Sequence, residues 1–320
     1  MRAGFVALVG RPNVGKSTLL NQIVGEKLAI MSARPQTTRE RLLGVLHRPG
    51  LQIGFVDTPG LHRPGGVGRT RLNQFMVDEA NAAMDGVDAI ALLVELPDPP
   101  PPVRGKRRPP PEAPPRLDHA TERVLTEVSA LGKPVVLVLN KIDRVRDKRR
   151  MLPILQACSE RGFAAMVPIS AKQGTGVPAL VEELTKLIPE GEPIFDEDTL
   201  TDRAERWFAT EFVREQVFLL TDREVPYSVA VAIDEFLERA TKKGRELTVS
   251  ATISVEKEAH KRILVGHGGK MIREIGTRAR HELGRLFDAT VHLQLFVRVD
   301  EGWTADRAKL RDFGYEPSGR

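Results

Sequence analysis

One stretch near the start of the chain limits the possible folds more than any other. It is Gly10-Arg11-Pro12-Asn13-Val14-Gly15-Lys16-Ser17, which reads G-x-x-x-x-G-K-S. It follows Ala3-Gly4-Phe5-Val6-Ala7-Leu8-Val9, an apolar run of strand length. It precedes residues 17–24, where apolar side chains recur at helical spacing until Gly25. Strand, glycine-rich loop and helix in that order form a phosphate cradle. Successive backbone N–H groups point inward at phosphate oxygens, and the positive end of the helix strengthens their pull. In such a loop Lys16 reaches the β- and γ-phosphates and the Ser17 hydroxyl holds a Mg²⁺ ion, while Gly10, Asn13, Val14, Gly15 and Thr18 complete the binding surface.

Residues 41–46 and 51–56 read as two strands joined by a turn at Pro49-Gly50. The second runs into Asp57-Thr58-Pro59-Gly60. A carboxylate at a strand end facing a phosphate loop suits a metal, so Asp57 is expected to reach Mg²⁺ through water and the Gly60 N–H to bond a γ-phosphate. Buried strands are expected over 87–96, 134–139 and 164–169, each followed by helical periodicity. This alternation gives an α/β fold, a mostly parallel sheet with helices on both faces. Asn140-Lys141-Ile142-Asp143 and Ser170-Ala171-Lys172 follow two of these strands, on the sheet edge that carries the phosphate loop. Their chemistry suits guanine, whose N1–H and N2 amine are adjacent donors that the Asp143 carboxylate can accept together. Adenine has no such pair. Asn140 either bridges the two loops or contacts the purine N7, and the Ala171 N–H is suited to O6.

Taken in order, Gly10 to Ser17, Thr38, Asp57 to Gly60, Asn140 to Asp143 and Ser170 to Lys172 resemble the five guanine-nucleotide motifs of a translation-factor-class GTPase. Thr37-Thr38-Arg39 resembles the Era family in particular. The resemblance implies GTP and GDP as ligands, Mg²⁺ held by Ser17, Thr38 and Asp57, and hydrolysis served by Lys16, Thr38 and Gly60. Thr38 would be the switch threonine that joins the metal and the γ-phosphate. Leu61 stands where Ras-type enzymes carry the glutamine that orients water, so catalysis must come from elsewhere. Asn13 matches the asparagine that helps bind K⁺ in potassium-dependent relatives, where the cation can neutralise transition-state charge. The plainer reading is that Asn13 only shapes the loop.

At 320 residues the chain is long enough for two domains. It contains no apolar run of membrane-spanning length, and its start lacks a signal-peptide core. Its single cysteine, Cys158, cannot form an internal disulfide, so a reducing cytoplasm is expected. Residues 29–38 are polar and expected to form a mobile loop. Ten prolines between 97 and 115 surround Arg104-Gly105-Lys106-Arg107-Arg108, which predicts an extended, solvated insertion, with an RNA-contacting or partner-docking arm as the alternative. The expected division is a nucleotide domain over 1–189 that contains this insertion, a linker over 190–203, a second domain over 204–300 and a tail over 301–320.

The net charge of +5 is modest, but ten basic residues fall between 241 and 280 against four acids. A basic face of that kind points to a polyanion partner. The surrounding pattern reads as a helix over 204–220, strands at 229–233 and 248–255, helices over 257–264 and 270–286, and a strand over 291–299. Gly266-His267-Gly268-Gly269 separates the last two helices. This α-β-β-α-α-β order with G-x-x-G resembles a type II KH domain, an α+β fold. It implies that Gly266, His267, Gly268, Gly269, Lys270 and Arg273 contact the backbone of about four single-stranded nucleotides. His267 is read as a contact or spacer and not as a metal ligand. The Era-family likeness extends over nearly the whole chain. It implies a cytoplasmic, monomeric GTPase that binds 16S ribosomal RNA near its 3′ end, not DNA, and aids assembly of the 30S subunit; peripheral contact with the inner membrane is compatible with it. The rival reading is a GTPase whose KH fold docks a protein and touches no RNA.

Overall fold

The computed structural model describes residues 1–32, 34, 36–61, 70–95, 117–145, 147–242 and 244–315. The proline-rich insertion lies outside the described residues. The described residues fall into two compact units. One lies within Met1–Glu26, Leu43–His62 and Ala80–Leu200, the other within Lys27–Leu42, Arg63–Glu79 and Thr201–Arg320.

In the first unit, β1 (Arg2–Gly10), β2 (Leu42–Arg48), β3 (Leu51–Asp57), β4 (Ala89–Glu95), β5 (Val135–Asn140) and β6 (Ala165–Pro168) form a sheet in the order β2-β3-β1-β4-β5-β6. β1 runs parallel to β3 and β4, β4 to β5 and β5 to β6. β2 and β3 are joined by the two-residue turn at Pro49-Gly50, where Gly50 takes φ +74. β4 and β5 are apolar at nearly every position because both faces of a parallel sheet are covered, and their side chains are buried accordingly. Helices α1 (Lys16–Val24), α3 (His119–Ser129), α4 (Leu152–Ser159), α5 (Val177–Thr185) and the C-terminal part of α2 (Arg71–Asp85) complete this unit. Local chemistry sets their ends. Gly25 closes α1 in the left-handed conformation, and the Asp118 carboxylate accepts the Thr121 N–H at the start of α3. Cys158 is buried on α4, where loss of hydration pushes its thiol pKa up, away from reactivity. Residues 190–200, the first part of the expected linker, are pinned along this unit. Gln52 bonds the backbone of Ile194 and Phe195, and the Val45 N–H bonds Leu200 O at 2.9 Å.

The second unit has the expected order: α6 (Glu205–Leu220), β7 (Val229–Thr241), β8 (Gly244–Val255), α7 (Glu258–Val265), α8 (Lys270–Phe287) and β9 (Ala289–Val299). β8 is central, antiparallel to β7 and parallel to β9. β7 continues well past Ile233, where the alternating pattern stops. A bulge at Asp234 shifts the register, so Val229, Val231 and Ile233 point inward before it and Phe236 after it. Phe212, Val217, Ile253, Ile275, Ala279 and Leu283 lie in the core that the helices and sheet enclose.

One expectation differs from the structure of this unit. The described residues among 29–38 are not a free loop, since Ile30 is in the core cluster and the Thr37 carbonyl accepts from the buried Arg214 guanidinium at 2.5 Å. The described part of the expected tail, residues 301–315, is folded. It carries α9 (Arg307–Asp312) and packs the fully buried Trp303 with Leu310 and Tyr315 against Leu72, Phe75 and Met76. Arg39 lies among these rings. Its guanidinium donates to Val229 O at 2.6 Å, Tyr315 Oη at 3.0 Å, Tyr227 O at 3.2 Å and Pro226 O at 3.3 Å.

Candidate functional site

The first site is built on loops that leave the C-terminal ends of β1, β3, β5 and β6, on one edge of the first unit's sheet. Gly10 is at φ +150, and a Cβ there would stand 2.5 Å from Leu93 O. Gly15 is the left-handed residue before α1, and its missing Cβ is where the Asn140 carboxamide sits. The loop therefore closes only with glycine at both positions. Lys16 is buried, and its Nζ folds back on Gly10 O and Arg11 O, each at 3.2 Å. Burial lowers its pKa to about 8, while the Asp57 carboxylate pulls the other way. A desolvated ammonium held mainly by carbonyls gains strongly from an incoming phosphate.

The Asp57-Thr58-Pro59-Gly60 turn is seated on this loop. Ser17 Oγ donates to Asp57 Oδ2 at 2.6 Å, Thr58 Oγ1 to Leu8 O at 2.9 Å, and the Leu61 N–H to Gly10 O at 3.0 Å. A Cβ on Gly60 would stand 2.6 Å from Pro12 N. A hydroxyl and a fully buried carboxylate side by side make a hard oxygen donor set, which fits Mg²⁺. Leu61 packs into the core of the unit and offers no polar group to water.

Asn140 spans two loops. Its Nδ2 donates to Val14 O at 2.7 Å, and its Oδ1 accepts the Ala171 N–H at 2.9 Å. Lys141, at φ +64, donates to Asn13 O at 2.6 Å. The Asp143 carboxylate accepts from Ser170 Oγ at 2.7 Å. Thr18 is half-buried on the first turn of α1, and Lys172 is exposed beside Ala171. The sequence reading missed Glu95, which ends β4 and pairs with Lys141. Its position at a strand C-terminus on this edge was the available signal. Thr38 is half-buried in the segment that belongs to the second unit.

The second site is the turn between α7 and α8. Gly266 has φ 68 and ψ 174, and a Cβ there would fall 2.8 Å from Met271 Cβ. Gly268, at φ +60, faces open space, and Gly269 caps α8 in the left-handed conformation. His267, Gly268, Lys270 and Arg273 are exposed. Arg273 braces the turn, donating to Gly268 O at 2.6 Å and Gly269 O at 3.1 Å. The N-terminus of α8 thus presents amides and cations around a glycine surface that a phosphate can approach. Among the described residues no cluster of histidine, cysteine or carboxylate side chains suits a metal here.

The chain matches known families in both halves. Residues 5–141 match the family model described as 50S ribosome-binding GTPase, and residues 224–304 match the KH domain. GTPase Era from Geobacter sp. (strain M21) is 46% identical over 316 residues, covering 98% of each chain. GTPase Era from Xanthomonas axonopodis pv. citri is 45% identical, over 98% of this chain and 97% of its own. Two solved Era structures superpose with a TM-score of 0.86 at 36% identity, over 98% of this chain and 99% of theirs. One is a single-substitution variant of Aquifex aeolicus Era bound to GDP·AlF4⁻, the other Era in complex with MgGDPNP and nucleotides 1506–1542 of 16S ribosomal RNA. A likeness so even along both halves of the chain leaves one assignment: it belongs to the Era family, and is a GTP-hydrolysing enzyme with a P-loop GTPase fold followed by a KH domain.

Proposed function

We propose that residues 1–189 act as the GTP switch, that 190–203 link them to an RNA-binding domain at 204–300, and that 301–320 follow as a tail. The observation that carries the reading is the convergence of four motifs on one sheet edge, with Asn140 joining the phosphate loop to the Ser170 loop. Lys16 and the amides from Asn13 to Thr18 hold the phosphates, the Gly60 N–H bonds the γ-phosphate, and Asp143, Lys141, Ser170 and Ala171 select guanine. Ser17, Asp57 and Thr38 would hold Mg²⁺, which when bound screens the phosphate charge. Leu61 cannot orient water; a potassium ion, if held at Asn13, would supply charge neutralisation in the transition state.

Gly266 to Lys270, with Arg273, bind single-stranded RNA. The solved Era complex contains a 16S fragment, and we extend that ligand class to this chain, with assembly of the 30S subunit in the cytoplasm as the setting. Any contact with a membrane would be peripheral, since no described helix is long and apolar enough to cross one. The test is multiple-turnover hydrolysis of GTP and ATP by the full chain in KCl and in NaCl, with filter binding of an RNA copying the 16S 3′ end. The reading expects hydrolysis of GTP alone, faster in KCl, and retained RNA. Equal use of ATP would overturn the base site, equal rates in the two salts would remove the potassium, and no retained RNA would favour the KH fold as a protein-docking module.

A further inference from the structure

The phosphate loop is tethered from outside at two points, and both tethers end on carboxylates that flank the proline-rich insertion in the sequence. Glu95 ends β4 before it, and Asp118 caps α3 after it. Each has a sequence neighbour in the core, since Val94 and Leu117 belong to one apolar cluster. Glu95 lies beside Asn140 in the β4–β5 register, and its carboxylate pairs with Lys141 Nζ. That ammonium donates to Asn13 O at 2.6 Å. Asn13 has φ +63, a left-handed conformation uncommon outside glycine. Asp118 uses both carboxylate oxygens. Its Oδ1 accepts the Thr121 N–H at 2.8 Å, and its Oδ2 accepts from the Arg11 guanidinium. The carbonyl of that same Arg11 is one of the two that hold Lys16 Nζ.

From these two tethers we infer that Glu95 and Asp118 are positioning residues for phosphate binding. Glu95 acts through Lys141 on the Asn13 carbonyl, and Asp118 acts through Arg11 on the carbonyl that seats Lys16. The inference rests on the phosphate-site reading above and deepens it. The tethers hold the empty loop near its bound shape, which lowers the ordering cost that a nucleotide meets on binding. Affinity differences of this kind fall mainly on the dissociation rate. Once seated, the phosphates order the loop themselves, so the tethers govern release more than bond breaking. Charge alone predicts the opposite. Removing either carboxylate leaves an unneutralised cation beside the loop, and a more positive site holds an anionic nucleotide more tightly. The sign of the effect therefore separates the two roles.

The test measures release of a fluorescent GDP and single-turnover hydrolysis of prebound GTP by the full chain. Glu95→Gln and Asp118→Asn remove each charge at constant size, and asparagine still caps α3. Each variant should speed GDP release about three- to fivefold, the range that a partly exposed ion pair supports. Single-turnover hydrolysis should change by less than about twofold, which separates a release effect from an effect on the reacting atoms. Asp118→Asn should add nothing in an Arg11→Met background, and that non-additivity marks an action through Arg11. An unchanged thermal midpoint by circular dichroism reports an intact fold in each variant. Unchanged or slower release in either variant would overturn the role of that residue. An equal gain from Asp118→Asn with and without Arg11 would overturn the route through the guanidinium. A parent chain that failed to bind the fluorescent GDP would instead remove the phosphate site itself.

Discussion

Ser170 Oγ donates to Asp143 Oδ1 at 2.7 Å, so a residue of one recognition loop fixes the carboxylate of the other. Fixed in that way, the carboxylate can accept two adjacent donors of guanine. Asp143→Asn replaces an acceptor with a donor, which faces the guanine amine badly and the xanthine O2 well. The variant should lose GTP affinity at least about tenfold and gain xanthine nucleotide, because a mismatched buried polar pair costs about 1–3 kcal/mol. Fluorescent-nucleotide titration checks this, and unchanged GTP binding would displace Asp143 from the base site.

Lys16 gives a pH signature. In the nucleotide-free chain its pKa falls from 10.5 to about 8, mainly through burial. Between those values the unfolded chain holds more protons than the folded one, so this group adds stability as pH rises through that window and nothing further above it. Nucleotide affinity should move the opposite way, falling about tenfold at one pH unit above the folded pKa as the ammonium is lost. Lys16→Met should bind weakly throughout and flatten both trends. Urea unfolding and nucleotide titration between about pH 7 and 10 measure the pair.

The glycines of the G-x-x-G turn should separate into structural and functional positions. Gly266→Ala forces a Cβ to within 2.8 Å of Met271 Cβ, at φ 68 and ψ 174, and should destabilise the second unit by about 1–3 kcal/mol. A Cβ at Gly268 meets no heavy atom within 4 Å, and Gly268→Asp must adopt a left-handed φ that aspartate tolerates. It should cost at most about 1 kcal/mol of stability, abolish RNA binding and leave GTP affinity intact.

Arg39 should prove structural as well as sequence-distinctive. Its partners include three backbone carbonyls and the Tyr315 hydroxyl, with the Trp303 and Tyr315 rings beside the guanidinium. Arg39→Met should lower the stability of the second unit by at least about 3 kcal/mol, and Tyr315→Phe by about 1.5 kcal/mol. Trp207 and Trp303, the only tryptophans in the chain, both lie in that unit, so tryptophan fluorescence during urea unfolding reads the loss directly.

The convergence of the motifs of the proposed nucleotide site was legible in the sequence because their chemistry is local. Each motif is a few contiguous residues at a strand end, and the parallel sheet brings those ends together. The KH order was legible for the same reason, through alternation in β9 and helical spacing in α8. β7 was read short because the bulge at Asp234 breaks the period-two pattern that reveals a strand. Arg39 entered the sequence reading only as part of the Thr37-Thr38-Arg39 resemblance, and its buried role could not be read, since Val229 and Tyr315 are 190 and 276 residues away. The same distance hid the burial of Ile30, Thr37, Trp303, Leu310 and Tyr315, which comes from distant partners and not from local pattern.

Coupling between nucleotide state and RNA binding is the central claim. Thr38, expected to sense the γ-phosphate, is adjacent in sequence to Arg39, which is bonded into the proposed RNA-binding unit. The direct measurement is titration of RNA copying the 16S 3′ end into the full chain, loaded either with a non-hydrolysable GTP analogue or with GDP. The predicted affinities differ at least about fivefold, with RNA shifting the analogue-to-GDP affinity ratio by the same factor. Identical RNA affinity in the two states would contradict the claim.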